Sequence, residues 1–399
     1  MSLPFAGYSV LDLTNVIAGP YCGYHLALMG AEVLKVENPG GDLARRLGAD
    51  PALNARNMGA SFLALSAGKR SMTLNLKHAQ GVEVFKKLVA TADVVLENFR
   101  PGVMARLGLG YPVLRELRPG LIYCAITGFG QETSYRDKPA YDQIVQGLSG
   151  AMATTGTPES GPLRVGYPIS DTVAGMNAAY GIAAALLTRE RTGEGQLVDV
   201  SMLDSVLSIM GWANSNLLVA GQEPVLMGND NYTASPSGSF RTADGLINIA
   251  ANMPHQFETL CRALERLELI KDERFIDPEA RLVNREALKG ELERTLAGQP
   301  TGHWVDLLNE AGVPAGPVLT IGQAVDLPPV RERGTVREIT DIPGLPGPVR
   351  VLTGGYQLSG GAPQMGPRPP ELGEHTGEVL ESLGYSQAER EAMVAGGVV

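Results

Sequence analysis

The sequence predicts an α/β protein built on a doubly wound, parallel sheet, with a second and smaller domain. Three observations carry this. Apolar strand-like segments alternate with helical ones from Ser9 to Ser201. The first strand, glycine turn, helix and strand fall within a stretch short enough for a βαβ unit. Near Gly221 the texture changes to a turn-rich loop, a hairpin and charged amphipathic helices.

The elements follow in order. Ser9-Val-Leu-Asp-Leu13 alternates and runs into Thr-Asn-Val-Ile-Ala-Gly-Pro20, then a helix over 21–29 and a strand over 32–37. Glu37 stands where a dinucleotide fold has its ribose-binding acid. The turn Gly19-Pro-Tyr-Cys-Gly23 is not G-x-G-x-x-G, however, so the topology is kept and a nicotinamide cofactor is not. Gly68-Lys-Arg-Ser-Met-Thr-Leu-Asn-Leu76 is a further strand, followed by a helix over 78–91 and a strand over 93–97 that enters Asn98-Phe-Arg-Pro-Gly102. A short helical stretch begins at Met104, and a buried strand over 121–127 ends at Gly128-Phe-Gly130. Sheets of this kind bind ligands at the carboxyl ends of their strands, where residues 16–18, 98–100 and 128–130 fall.

Pro168 and Ser170 close an extended approach to a helix rich in Ala, Gly, Leu and Ile that stops at Gly193. An alternating segment over 196–201 follows. Beyond Gly221 come the loop 228–238, a hairpin over 239–252 turning at Asp244-Gly245, and helices over 254–267, 284–296 and 301–311. Pro314-Ala-Gly-Pro317 starts a return, with strands over 347–352 and 356–358, a Pro-rich linker over 363–370 and a helix over 376–383.

Bulk properties narrow the function. The chain has 399 residues, 44% of them hydrophobic, and a net charge of −10, which argues against nucleic acid or an anionic membrane as the main partner. Its most apolar run, 172–188, contains Asn177, Tyr180 and two glycines, and reads as a buried helix. The N-terminus shows no secretory pattern, and Cys22, Cys124 and Cys261 are scattered, as expected of buried thiols in a reducing cytoplasm. The five histidines never reach ligand spacing with one another, so no metal site is expected. Neither G-x-S-x-G nor G-x-x-x-x-G-K-[ST] occurs, which removes serine hydrolases of that type and P-loop NTPases.

Two features remain. Asp171 stands in the first turn of the apolar helix, where orphan N–H groups and the macrodipole favour an ionised carboxylate. From position alone it reads as a plain N-cap, and covalent catalysis, which an ionised group beside an apolar helix also suits, needs support from elsewhere in the chain. Lys69, Arg70, Arg100, Arg106 and Lys138 lie near strand ends, and together they suit a phosphorylated ligand. Singly, each is an ordinary surface charge.

An ordered set of motifs covers nearly the whole chain: Val10-Leu-Asp-Leu-Thr with Ala18-Gly-Pro20, Gly30-Ala-Glu-Val-Leu-Lys-Val-Glu37, Gly68-Lys-Arg-Ser71 and Glu97-Asn-Phe-Arg-Pro-Gly102. Ser149-Gly150 with Thr155-Gly156, Asp171, Arg191-Thr-Gly-Glu-Gly-Gln196, Pro314-Ala-Gly-Pro317 and Leu372-Gly-Glu-His-Thr376 follow. With these the chain resembles a family III coenzyme A transferase. The resemblance implies an interlaced homodimer with a Rossmann-like large domain built from N- and C-terminal parts, residues 1–220 and 326–399, and a small α+β domain, residues 221–325.

It further implies that Asp171 is the nucleophile, passing through an acyl-aspartyl anhydride and an aspartyl-CoA thioester as CoA moves from an acyl-CoA donor to a small carboxylic acid. CoA is then a substrate, and no cofactor is tightly bound. The CoA contacts implied are Val16, Ile17, Ala18, Met72, Thr73, Leu74, Asn75, Asn98, Phe99, Arg100, Arg106, Lys138 and Tyr141.

Asn38 stands where the family commonly has an Arg, which removes one implied phosphate contact. The chain departs from oxalate-specific members at three places: Ile17 replaces a Gln, Gly48 aligns with a Trp, and the loop 228–238 lacks their run of glycines. These departures point to an acid larger or less polar than oxalate, with succinyl-CoA as a candidate donor. Two rivals share the resemblance: a 2-methylacyl-CoA racemase, which needs a histidine where this chain has Tyr141 in Ala140-Tyr141-Asp142, and a non-catalytic CoA-binding protein.

Overall fold

A computed structural model describes residues 2–399. The chain forms two compact units. One comprises the residues up to Met152, Arg164–Glu223 and Arg331–Val399; the other comprises Ala153–Leu163 and Pro224–Val330.

The larger unit is built on six parallel strands: β1 (Ser9–Asp12), β2 (Glu32–Glu37), β3 (Lys69–Thr73), β4 (Val94–Glu97), β5 (Ile122–Thr127) and β6 (Leu197–Ser201). Their order is β3-β2-β1-β4-β5-β6, so the winding reverses between β1 and β4. That reversal opens a crevice at the carboxyl ends of these two strands. β4 and β5 are buried along their full lengths, as strands covered on both faces must be.

Four helices matter most for the site: α1 (Ala18–Leu28), α2 (Ala79–Val89), α3 (Asp142–Leu148) and α4 (Ile169–Thr192). Alternate strand residues serve opposite faces of the sheet. Val10, Val33, Val94, Ile122 and Cys124 share a core with α1 and α4. Leu11, Val36, Val95, Tyr123 and Ala125 share another with Val84 and Phe85 of α2, and with Val379, Leu380 and Met393 from the C-terminal end.

Small residues let α4 approach α1 closely. A β-carbon on Gly175 would lie 2.4 Å from the Ala18 carbonyl oxygen, so only glycine fits that crossing. α4 ends at Gly193 with φ +75°, the left-handed residue that commonly closes a helix.

Several expectations shift. α1 begins three residues earlier than expected, because Pro20 sits in its first turn, where a missing N–H is harmless. Residues 356–358 form no strand, and Val349–Leu352 pairs antiparallel with Val336–Ile339 instead. The Pro-rich stretch is docked, not a free linker: Gly68 N–H donates to the Pro367 carbonyl at 2.7 Å, and Gln364 N–H to the Leu28 carbonyl at 2.8 Å. A final helix, Gln387–Ala395, went unread although Ser386 and Glu389 form its capping box.

The smaller unit has a three-stranded antiparallel sheet, Ser237–Arg241, Leu246–Ala250 and Ala315–Pro317. Helices Pro254–Ala263, Arg285–Leu296 and Thr301–Glu310 share its core of Phe240, Ile247, Phe257, Leu260, Leu292 and Trp304. Residues 153–163, read from sequence as part of the large domain, belong to this unit. Their hairpin, Gly156–Thr157 with Gly161–Pro162, receives the Gly228 N–H on the Gly156 carbonyl at 2.7 Å.

Candidate active site

A cavity of about 320 Å³ opens at the carboxyl ends of β1, β4 and β5 in the larger unit. Its walls come from Asn15, Val16, Ile17 and Ala18 after β1, from Asn98, Phe99, Arg100 and Pro101 after β4, and from Thr127 and Gly128 at the end of β5. Arg136, Lys138, Ala140 and Tyr141 add a loop wall, and Asp171 enters from α4. Asp171 is the sole acidic residue among the lining residues, against the three cations Arg100, Arg136 and Lys138.

The β1 loop rests on buried charges. Asp12 accepts the Thr14 N–H at 3.0 Å and the Thr14 hydroxyl, and pairs with Lys69 at 2.9 Å. Lys35 donates to the Thr14 carbonyl at 2.7 Å and pairs with Asp42 at 2.9 Å. Asp42 Oδ1 in turn accepts the Val16 N–H at 3.0 Å. Val16 has φ +69°, left-handed backbone that costs a β-branched residue about 1–3 kcal/mol.

This arrangement revises one sequence reading and shows what Glu37 does instead. Lys69 is buried against Asp12 and is no ligand cation. Glu37 is no ribose acid: Arg45 grips it through two bonds of 2.7 Å, and the Ser71 hydroxyl donates to it at 2.7 Å.

The β4 loop is tied to the β1 loop by one side chain. Asn98 accepts the Asn15 N–H and donates to the Asn15 carbonyl, both at 2.9 Å. Behind it, buried Glu97 accepts the Phe99 N–H at 2.7 Å and the Tyr123 hydroxyl at 3.2 Å. Burial pushes the Glu97 carboxyl up to about 7.

On the third side, α3 holds the approach to α4. Gln146, fully buried, accepts the Val165 N–H at 2.8 Å and donates to Asp142 at 2.8 Å. Asp142 accepts the Ser170 N–H at 2.8 Å, satisfying an orphan donor in the first turn of α4. Pro168 is the cap residue, so Asp171, third in the helix, is free of capping duty. Its carboxylate makes no hydrogen bond or ion pair among the described residues.

The expected ionisation of Asp171 needs correcting. Burial, then the neighbouring Asp142 charge, raise its pKa to about 7. Desolvation outweighs the helix N-terminus here, because no cation or donor stabilises the charged form. The group is about half ionised at neutral pH.

The structure thus brings together Val16, Ile17, Ala18, Asn98, Phe99, Arg100, Lys138, Tyr141 and Asp171. It places the remaining sequence candidates elsewhere. Met72 and Leu74 lie in the core, Thr73 donates its N–H to Thr376 at 3.0 Å, and Asn75 donates to the Gly397 carbonyl at 3.1 Å. Arg106 is exposed on Val103–Arg106, outside the cavity lining, and Arg70 pairs with Glu378 at 3.0 Å. Arg136 went unread although it stands two residues before Lys138 in the same loop. Among the described residues, no group of three His, Cys, Asp or Glu side chains is placed to hold a metal ion. None of their helices is long and apolar enough to cross a membrane.

A parallel α/β sheet whose switch-point cavity is lined by one partly buried carboxylate and three cations suits an anionic ligand. Comparison with known proteins specifies it: the pattern of CoA-transferase family III matches residues 5–376, and the chain belongs to that family and is a CoA-transferase. It is 38% identical over 387 residues to acetyl-CoA:oxalate CoA-transferase of Acetobacter aceti, covering 96% of this chain and 97% of that protein. It is 39% identical to succinyl-CoA:mesaconate CoA-transferase of Haloarcula hispanica, covering 94% and 95%. The crystal structure of a CAIB/BAIF family protein from Brucella suis superimposes with a TM-score of 0.86 at 34% identity, covering 96% of this chain and all of that one.

Proposed function

We propose that the protein moves CoA from an acyl-CoA donor to a small carboxylic acid through covalent intermediates on Asp171. The observation that carries this is the position of Asp171 as the only acidic residue lining a cavity rimmed by cations. A carboxylate whose pKa lies near 7 is more nucleophilic than an ordinary one, yet still substantially ionised at neutral pH.

The electron pairs balance without ATP. An Asp171 oxygen attacks the donor thioester carbonyl, the C–S bond breaks, and CoA leaves as thiolate from a mixed anhydride. The thiolate attacks the Asp171 carbonyl, releasing the donor acid as carboxylate and leaving an aspartyl-CoA thioester. The acceptor carboxylate repeats the exchange: it displaces the thiolate to form a second anhydride, and the thiolate attacks the acceptor carbonyl, freeing Asp171. No proton is gained or lost over the cycle. Arg100, Arg136 and Lys138 suit the phosphates of CoA, while residues 15–18 and Phe99 suit its pantetheine arm.

The acceptor is a carboxylic acid larger or less polar than oxalate. Ile17 in the cavity wall offers no hydrogen-bonding side chain to a second carboxylate, and one similar protein acts on mesaconate. The other similar protein acts on oxalate, so a panel crossing acyl-CoA donors with oxalate, succinate, glutarate and mesaconate decides the pair. Exposed apolar side chains on Trp212–Ala220, including Leu218 and Val219, support a homodimer, in keeping with interlaced chains. Three buried free thiols suit a cytoplasmic location.

The direct test replaces the nucleophile. Asp171→Ala abolishes transfer while calorimetry finds CoA affinity within a few-fold of the parent; full transfer in that variant overturns the reading.

A further inference from the structure

The segment entering the cavity from β1 is the most strained part of the site, and the strain has a visible cause. Val16 is one of four non-glycine residues with positive φ among the described residues, and the only one of the four that lines this cavity. A β-branched residue avoids that conformation unless its surroundings impose it. The surroundings are specific. Asp42 accepts the Val16 N–H at 3.0 Å and the Ala44 N–H at 2.9 Å with the same oxygen. Its other oxygen pairs with Lys35 at 2.9 Å, and Lys35 holds the Thr14 carbonyl at 2.7 Å, two residues before Val16. Both side chains are essentially inaccessible, Lys35 at 0% and Asp42 at 1% exposure. Neither lines the cavity, so neither touches the substrate.

We propose that Asp42, oriented by Lys35, is a positioning residue for CoA transfer: it imposes the left-handed turn at Val16 and thereby sets the cavity wall formed by residues 15–18. The inference rests on the reading that this cavity holds the acyl-CoA. Two buried charges are costly to keep unless they hold something, and what they hold is the backbone on either side of Asn15. Gly175 packs against Ala18 at the end of that wall, one turn beyond Asp171, so the turn also fixes the distance between wall and nucleophile. Removing the Asp42 carboxylate frees Val16 to relax to negative φ and swings the wall.

A double-mutant cycle tests this, because glycine adopts φ near +69° unaided. Asp42→Ala is made in the parent and in Val16→Gly, and kcat, KM for acyl-CoA and the CoA dissociation constant are measured, with thermal melting to verify folding. Asp42→Ala is expected to lower kcat/KM and weaken CoA binding roughly tenfold or more in the parent, but less than about threefold in Val16→Gly. Equal losses in both backgrounds, or no loss in the parent, overturn the proposal. If Asp42→Ala does not fold, the same cycle is read with the paired change Lys35→Met and Asp42→Leu, which removes the acceptor of the Val16 N–H together with the buried charge it faces, under the same criteria. Failure of the parent itself to bind CoA would instead refute the placement of the substrate.

Discussion

The Asp142 carboxylate accepts the backbone N–H of Ser170 at 2.8 Å, immediately before Asp171 in the chain. One acid therefore completes the helix that carries the other. Its charge also opposes ionisation of its neighbour, adding to the larger effect of burial. Transfer through the proposed anhydride needs the ionised Asp171, so kcat/KM is expected to fall as pH drops through about 7. Asp142→Asn keeps an oxygen for Ser170 and removes the charge. Its acid limb is expected to move to lower pH by less than about one unit, since burial remains. A pH–rate profile checks both the limb and its displacement.

The same group makes stability depend on pH, and the sign is the reverse of a salt-bridged acid. Its folded pKa, about 7, lies above the ordinary value of 3.8, so ionisation costs the fold progressively between these values and fully above them. Asp171→Asn is therefore expected to be more stable than the parent by on the order of 1–3 kcal/mol at pH 8, with the difference vanishing below about pH 4. Denaturant midpoints at the two pH values measure it.

Packing at the head of α4 is tight enough to test with one methyl group. Gly175→Ala places a carbon 2.4 Å from the Ala18 carbonyl oxygen, so α1 and α4 must separate. A loss of about 1–3 kcal/mol in stability is expected. Because Asp171 is one turn away, kcat/KM is expected to fall about tenfold or more. Urea melts and steady-state kinetics report the two effects.

Cations on the cavity wall and those off it are separable. Lys138→Ala and Arg136→Ala are each expected to raise KM for acyl-CoA about fivefold to twentyfold, an effect that shrinks at high salt. Arg106→Ala, outside the lining, is expected to change it less than about twofold. Initial rates at two ionic strengths distinguish them.

The sheet and the place of Asp171 in the first turn of its helix were legible in sequence because each depends on local pattern. Alternation and glycine turns marked the strands, and Pro168 and Gly193 bracketed the helix that carries Asp171. What could not be read is decided by distant partners. Lys35 and Lys69 look like any surface cations until Asp42 and Asp12 meet them in the core. Met72 and Leu74 carry a motif whose side chains turn inward. Residues 153–163 leave the larger unit because Gly228, far along the chain, bonds to them. The left-handed turn at Val16 contradicts its own residue preference, and only the buried ion pair beneath it accounts for that.

Transfer by this route requires a covalent bond to Asp171, and mass spectrometry of the trapped enzyme reports that bond. Protein incubated with acyl-CoA and quenched with hydroxylamine is expected to carry a hydroxamate on the peptide containing Asp171, lost when the donor is omitted. An unmodified Asp171 peptide during active turnover, or a label on a different side chain, would rule out covalent transfer through Asp171.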